Sequence, residues 1–509
     1  MPILIPDADV NGRTRAAIEQ LAAAVANVGR SFVEFCHEIN MPLLQKPDQG
    51  SLPCRESVEE FATVNLHFST QLRALFEELA AYHARDGASS GTELAPIDDK
   101  QGFTIEIVIQ AQRIDHDPYC RHRIYHARRL TLQNPETLPV LPFVRKLRIL
   151  QRQDDQGSTL FAFDSVRPVA LRALLDCIVH LPALQELDCP WAWEWLPVAA
   201  VGRPLRHFTR VWEGPWRDAR HEFGAAVERQ EELPGGLRIP STLTKARLWF
   251  WQPRLALYDD QAMPMPDLVA PAKRDPLSTG LSVLVAPLHE LDLRAIISEH
   301  LFPAPDAPAS AQWSRMRRLS VEFHPMRPDG SWYFVGPRGE DPHPQGFGIS
   351  EQDHYPPAET TDEDEDVDEQ WDDDPTDGHE EEHLPDVFRT EPLAERIEPL
   401  LSAFATAVKN MGALEQAELF TYLAWLPSRG RAAEYGDEAP YDTNNSVHRW
   451  GVRYYVPEGA KEAVVEWQVG DWRPSQTVID LFDNLGQQEW LGFEFRQHRD
   501  ITHFTVAEF

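Results

Sequence analysis

Apolar positions along this chain recur in a short frame: a large apolar residue, a second three positions on, and a third two beyond that. Clear copies are Val144/Leu147/Ile149, Leu184/Leu187/Cys189, Leu288/Leu291/Leu293 and Met316/Leu319/Val321. Looser copies are Leu243/Ala246/Leu248, Leu414/Ala417/Leu419 and Trp490/Phe493/Phe495. Residues two apart share one face of a strand, so the last two members of each frame predict a short strand with one apolar side. The first member predicts a turn leading into it. Helical spacing precedes two of the frames. Leu171, Leu174, Leu175 and Ile178, behind a cap at Asp164 or Ser165, share one helix face and run into Leu184. Ile397, Leu400, Phe404, Val408 and Met411, with Gly412 as C-cap, run into Leu414 in the same way.

The beginning of the chain has a different period. Ile18, Leu21, Ala22, Val25, Val28, Phe32 and Phe35 predict a helix over residues 13–38. Phe61, Val64, Phe68, Leu72, Leu75, Phe76 and Leu79 predict a second over 57–84, opened by a Ser57/Glu60 capping box. Phe103, Ile105, Ile107 and Ile109 then alternate as in a strand.

Helix-plus-strand units that repeat are the mark of leucine-rich-repeat solenoids. Here the frames are spaced 40, 59, 45 and 28 residues apart from Val144 to Met316, against about 20–29 in regular repeats. The position for the repeat's Asn holds Ala192, Ile296, His324 or Tyr422. The expected fold is therefore α/β: an irregular leucine-rich-repeat-like solenoid with an N-terminal helical hairpin and a disordered acidic insertion. Its expected parts are a helical region over 1–86, the solenoid over 103–350, the acidic loop over 351–388 and a continuation of the solenoid over 389–509.

Charge sharpens one of these boundaries. The net charge is −33, and residues 351–386 supply 18 Asp or Glu with no Lys or Arg, leaving −15 for the rest. Such a stretch repels itself and has little apolar surface to bury, which predicts disorder. The acidic remainder speaks against nucleic acid as a partner, because phosphate contacts need clustered cations. No run approaches 18 apolar residues, so no membrane partner is expected. Five scattered Cys without a C-x-x-C pair, behind a start with no basic region or long apolar core, predict reduced thiols in the cytoplasm or nucleus.

Candidate chemistry is sparse. His379 and His383 fit the letters of H-E-x-x-H, but they lie in the acidic stretch with no apolar helix face to build a site, so the match reads as chance. His116, Cys120, His122 and His126 form the densest group of soft ligands, with His122 and His126 one helical turn apart. Pro118 and neighbouring Arg residues favour a basic connector there, and a hydrolase or metalloenzyme built on this cluster is the alternative. No metal or other cofactor is therefore expected, and no catalytic residue is assigned. Trp191 and Trp193, then Trp212, Trp216 and Arg217, then Trp332 and Arg338, and finally Trp472 and Arg473 combine aromatic rings with charge. That composition suits interface hot spots and, equally, loops that lock neighbouring units.

Several motifs in the same segments belong together: Leu181-Pro-x-Leu-x-x-Leu, Arg210-x-Trp-Glu-Gly-Pro-x-Arg-Asp-x-Arg220, Val321-Glu-Phe-His-Pro, Pro328-Asp-Gly-x-Trp-Tyr-Phe, Gly336-Pro-Arg-Gly-Glu-Asp-Pro342 and Val469-Gly-Asp-Trp-Arg-Pro474. Together they resemble a group of filamentous-fungal F-box or leucine-rich-repeat-like proteins, over residues 130 to 509. The resemblance covers the repeat region; an F-box opening of the Leu-Pro-x-Glu type is not evident at the start of the chain. It implies a non-enzymatic recognition scaffold, a divergent substrate adaptor whose partners are the linker and cullin subunits of a ubiquitin ligase. A structural subunit whose acidic loop binds basic proteins is a further alternative.

Overall fold

Six of the seven frames begin with the same turn. The first member donates its backbone N–H to the carbonyl three residues back: Val144 to Leu141, Leu184 to Leu181, Leu243 to Pro240, Leu288 to Val285, Met316 to Trp313 and Leu414 to Met411. In the copies at Leu184, Met316 and Leu414 the residue after the turn then tethers the strand to its neighbour. Gln185 N–H reaches Arg145 O at 2.7 Å, Arg317 N–H reaches His289 O at 2.8 Å, and Glu415 N–H reaches Arg317 O at 2.8 Å. A strand that starts from one fixed turn has its pleat phase set, so the two following apolar members face the same way in every copy.

The computed structural model describes residues 3–5, 16, 33–45, 52–88, 102–110, 112, 114–115, 120–123, 126–151, 167–190, 194, 203–228, 236, 238–251, 259–308, 312–373, 385–441, 447–460, 462–493 and 495–496. The chain is mixed α/β and divides into two compact units. The first is Met1–Ala192, Arg229–Arg247 and Pro356–Asp368, and the second is Trp193–Glu228, Leu248–Tyr355 and Glu369–Phe509.

In the first unit a small sheet joins β1 (Ile3–Ile5), β3 (Leu43–Gln45) and β5 (Ile114–Asp115). The main strands are β2 (Val33–Ile39), β4 (Phe103–Ile109), β6 (Val144–Gln151) and β7 (Glu186–Cys189), all parallel. The division between units falls within β8 (Lys245–Trp249). Leu147 lies opposite Leu187 in register, and both are buried. The helix Leu171–Ile178 buries Leu171, Leu174, Leu175 and Ile178, the face that its periodicity predicts. The other side of the strands carries charge: Arg148 bonds Glu106 at 2.6 Å and Asp188 at 3.1 Å, and Arg247 bonds Asp188 at 2.7 Å. Opposite charges on neighbouring strands stabilise the pairing.

The first predicted helix of the N-terminal hairpin is corrected at its end. Residues 33–39 form β2, with Phe35, His37 and Ile39 buried and Glu34, Cys36 and Glu38 exposed. This period of two is compatible with Phe32 and Phe35 in a helical count, and the parallel pairing with β4 decides between them by satisfying the backbone. Residues 13–32, apart from 16, lie outside the described residues. The second helix spans Val58–Ala88, and Glu60 N–H donates to Ser57 Oγ at 3.1 Å.

In the second unit β9 (Glu290–Ala295), β10 (Arg318–Phe323) and β13 (Gln416–Ala424) are parallel, with Leu291 opposite Leu319 opposite Ala417 and Leu293 opposite Val321 opposite Leu419. All six of these side chains are buried. A short antiparallel pair joins β11 (Phe334–Val335) and β12 (Glu391–Pro392). The ladder then turns antiparallel: β14 (Val447–Tyr455) runs against β13, β15 (Val464–Gln468) against β14, and β17 (Phe495–Arg496) also against β14. β16 (Gln487–Leu491) lies parallel to β15. Here the seventh frame fails, because Trp490 sits inside the strand and Phe493 beyond its end. Trp490 instead stacks on Trp467 at 5.1 Å. The helix Ala394–Asn410 buries Ile397, Leu400, Phe404 and Val408, with Met411 rather than Gly412 as its C-cap.

β14 carries a buried titratable group. His448 is 0% exposed, and burial pushes its pKa down to about 4. An unfolded His takes a proton near 6.5, so this contribution to stability is complete above pH 6.5 and is lost as pH falls toward 4. Between pH 7 and pH 5 the expected loss is about 2 kcal/mol from this residue. Chemical denaturation at the two pH values measures it, and His448→Phe is expected to shrink the difference by that amount.

The acidic stretch also departs from expectation. Residues 351–373 are placed, and Asp362–Asp373 is an α-helix where like-charge repulsion predicts disorder. Residues 374–384, which include His379 and His383, lie outside the described residues. The reason the helix forms lies in the first unit, at its own first two turns.

Candidate metal centre

Four soft or anionic side chains of the first unit converge on one point. Cys54 lies in the bend before the helix Val58–Ala88, a bend fixed from the other side by Arg123. Its Nε donates to Pro53 O at 2.6 Å, and its Nη1 pairs with Glu60 Oε1 at 2.6 Å. Cys120 and His122 flank one residue of a single 3-10 turn, Arg121–Arg123, closed by Arg123 N–H donating to Cys120 O at 3.0 Å. Asp368 comes from the acidic helix. The tight turn shortens the backbone between Cys120 and His122, so that their donors approach to 2.9 Å.

The six donor–donor distances are nearly equal. Cys54 Sγ to Cys120 Sγ is 3.2 Å, and each sulfur is 2.9 Å from His122 Nδ1. Asp368 Oδ2 lies 3.3 Å from Cys54 Sγ and 3.1 Å from Cys120 Sγ, and Asp368 Oδ1 lies 3.3 Å from His122 Nδ1. A tetrahedron with edges of about 3.1 Å has its centre about 1.9 Å from each corner, a few tenths short of Zn–N and Zn–S lengths of about 2.0–2.3 Å. The two cysteines are free thiols, so no disulfide explains their approach.

A carboxylate stands behind the imidazole. Asp364 Oδ1 lies 3.4 Å from His122 Nε2, and Asp364 is itself held by Arg55, whose Nε donates to Oδ2 at 2.7 Å. Both oxygens of Asp364 are thus engaged, since Arg55 Nη2 reaches Oδ1 as well. Aspartate–imidazole–metal chains of this kind fix the ring's tautomer and raise its basicity as a ligand. Asp364 and Asp368 are one turn apart on the same helix face, with Val367 buried between them.

Proton affinities in the cluster follow the crowding. Cys54 is pushed down to about 7, chiefly by its hydrogen bond with Cys120 and against the opposing effect of burial. That same bond, with burial, pushes Cys120 up. The shared bond thus moves the proton affinities of the two sulfurs in opposite directions. Burial lowers His122, but its bonds to Asp368 and Cys54 outweigh this and raise it on balance. Burial raises Asp368, and His122 and Cys120 more than reverse it. A divalent cation at the centre would take the place of the shared protons, offsetting two of the three negative charges of two thiolates and one carboxylate, with the imidazole as neutral donor.

The arrangement regroups the ligands expected from the sequence. Cys120 and His122 are brought together, but with Cys54 and Asp368 in place of His116 and His126. His126 lies apart from the cluster and is pushed well below its ordinary pKa, first by burial and then by the guanidiniums of Arg167 and Arg123. His116 lies outside the described residues. The expectation of no metal and a plain basic connector at Cys120–His122 thus meets four convergent donors. Cys54 and Asp368 were missed. Spacing could not flag them, since they stand 66 and 248 residues from Cys120.

The aromatic segments prove to be mostly internal. Trp212, Trp216 and Trp332 are buried. Arg210 stacks over Trp212 at 4.1 Å, and Trp216 Nε1 donates to Glu194 Oε1 at 3.3 Å. Arg217 bonds Asp218 at 3.0 Å and Tyr355 at 2.9 Å. Arg338 spans Glu438 at 2.7 Å and the Tyr435 ring at 3.9 Å. Trp472 packs on Trp450 at 5.7 Å, and Arg473 lies over Trp490 at 4.2 Å. Trp191 and Trp193 lie outside the described residues. Among the described residues, no helix is long and apolar enough to cross a membrane. No family model, no curated protein and no solved structure matches the chain.

Proposed function

We propose that the protein is a non-enzymatic recognition scaffold whose first unit is stapled by one structural Zn²⁺. The observation that carries the reading is the convergence of Cys54, Cys120, His122 and Asp368 within 3.3 Å of one another. Two thiolates and an imidazole select zinc over the oxygen-loving Mg²⁺ and Ca²⁺. Four protein donors fill a tetrahedral shell, and a catalytic zinc keeps one position for water or substrate. The site therefore favours a structural ion over a hydrolase or metalloenzyme centre. Thiolate ligands also suit a reducing compartment, the cytoplasm or nucleus. Elemental analysis of the purified full-length chain is expected to return about one zinc per molecule. Protein that folds with no stoichiometric transition metal would remove the reading.

The recognition half rests on the ladder of in-register frames. Parallel strands that each start from the same turn are compatible with a leucine-rich-repeat-like solenoid, and solenoids present an extended side of charged positions to partners. In the first unit that side carries Glu106 and Arg148, partly buried, beside Asp188 and Arg247, which are buried in their mutual ion pair. The finer proposal is a divergent F-box-type adaptor for the linker and cullin subunits of a ubiquitin ligase. Affinity capture of the intact chain followed by mass spectrometry tests it: recovery of both subunits supports the adaptor, and a clean capture without them leaves a scaffold of another assembly.

A further inference from the structure

We infer that the acidic helix Asp362–Asp373 is folded by the metal ion, so that occupancy of the centre decides whether this segment is an ordered strap or a free polyanion. This deepens the zinc reading and rests on it. Nine of the helix's twelve residues are Asp or Glu, and none is Lys or Arg. Pairs four apart, such as Asp362/Asp366, Glu365/Glu369 and Asp368/Asp372, repel one another on the helix surface. A segment of this length is marginal as a helix even without such repulsion. Its order must come from what its inner stripe touches.

That stripe is Asp364, Val367, Asp368 and Trp371, four positions on one face, and the Trp371 ring meets the Phe208 ring edge-on at 5.8 Å. Asp364 is tied at the helix start: Thr361 N–H donates to its Oδ2 at 2.9 Å, and its own N–H donates to Thr361 Oγ1 at 3.2 Å. Arg55 compensates its charge at 2.7 Å. Val367 is 0% exposed, and the residues on either side of the stripe, Glu363, Glu365 and Asp366, are exposed. Asp368 faces two cysteine sulfurs at 3.1 and 3.3 Å and His122 Nδ1 at 3.3 Å. With the ion at the centre this is a bond between the helix and two other parts of the unit, the bend at Cys54 and the turn that carries Cys120 and His122. Without it, Asp368 keeps hydrogen bonds with the thiols and the imidazole in place of a metal bond, and the helix sets these, its Thr361 cap, the Asp364 pairing with Arg55, buried Val367 and the Trp371 ring contact against the repulsion of nine carboxylates. The metal turns hydrogen bonds at Asp368 into a coordinate bond, the strongest tie of the stripe.

Hydrogen exchange read by mass spectrometry on the full-length protein tests this, comparing zinc-loaded protein with protein stripped by a high-affinity zinc chelator. Stripping is expected to lower protection of amides 365–372 by at least about 100-fold, restored by added Zn²⁺, because local opening then replaces opening of the whole unit. Cleavage by a Glu-specific protease within 363–369 is expected to follow the same pattern. Helix amides equally protected in stripped and loaded protein overturn the inference, and so do helix amides unprotected in loaded protein. Zinc measured in the same samples separates the two readings: no stoichiometric zinc defeats the metal centre itself, whereas full zinc with an indifferent helix defeats the strap alone. Should stripping unfold the entire unit, Asp368→Ala keeps Cys54, Cys120 and His122 as ligands. In that variant, loss of protection at 365–372 with amides of Phe103–Ile109 retained supports the strap, and retained protection at 365–372 overturns it.

Discussion

Cys120→Ser protein is expected to leave purification with less than a tenth of the zinc of the parent chain and to melt about 10 °C lower. The sulfur of Cys120 touches each of the other three donors at 2.9–3.2 Å, so its loss opens three of the four faces of the site at once. A structural zinc's binding energy is folding energy, because the unfolded chain has no site. Only part of it is lost when the remaining donors relax; about 3 kcal/mol is a modest share, and for a unit of this size each kcal/mol moves the melting temperature by about 2–4 °C. Cys54→Ser is expected to behave alike. Cys189→Ser, in a buried strand position away from the cluster, should leave zinc content unchanged. Elemental analysis alongside calorimetry reads both quantities, and Cys120→Ser protein with undiminished zinc would place the ion elsewhere.

Arg220→Ala is expected to cost the second unit about 4 kcal/mol, the effect of stranding buried charge. Arg220 is 0% exposed, and so are the side chains of Glu194 and Asp275 that flank it. Its Nη1 bonds Glu194, and its Nη2 reaches both Asp275 oxygens at 2.8 Å and Ile296 O at 3.0 Å. Asp275 in turn caps the helix Pro276–Val285 by accepting from Ser278 N–H at 3.0 Å. Truncating the arginine leaves two carboxylates in a dry site and disturbs that cap. Arg220→Lys is not expected to rescue, because one ammonium cannot reproduce the planar fork that spans three acceptors. Removing both charges together, in Arg220→Met with Glu194→Gln, should recover part of the loss. Urea denaturation followed by circular dichroism distinguishes these cases; an Arg220→Ala change under 1 kcal/mol would mean that the cluster is wetter than its burial implies.

The two sites were not equally legible from residue order. The strands were, because Leu147/Ile149, Leu291/Leu293 and Leu319/Val321 write a period of two that survives any spacing between copies. The lead-in turn was visible in the same frame. β2 was misread because apolar residues such as Phe32 and Phe35 satisfy a helical count, and only pairing with β4 selects the strand. The arginine and tryptophan segments were recognised as special, and the choice between surface and interior depended on partners far along the chain: Arg220 finds Asp275, and Trp332 lies under Arg389 at 5.2 Å. The metal centre was half legible. Cys120 and His122 carry their own local signal, but nothing in a run of 18 carboxylates distinguishes Asp368 from its neighbours. Composition argues for disorder there because it counts repulsion within the segment and is blind to a cation supplied from outside it.

The shared turn at the head of six strands has a bearing on how such a chain can lengthen. Because each strand takes its facing from a three-residue hydrogen-bonded lock of its own, the distance back to the previous strand carries no phase information. That distance is 28 residues between Leu288 and Met316 and 98 between Met316 and Leu414, yet Leu293, Val321 and Leu419 still meet in register. Whole modules, the acidic helix among them, can thus be spliced between rungs at no penalty to the rungs. The intolerance is displaced into the frame itself, where dropping a single residue between Met316 and Leu319 would turn Leu319 and Val321 to the wrong side of the sheet.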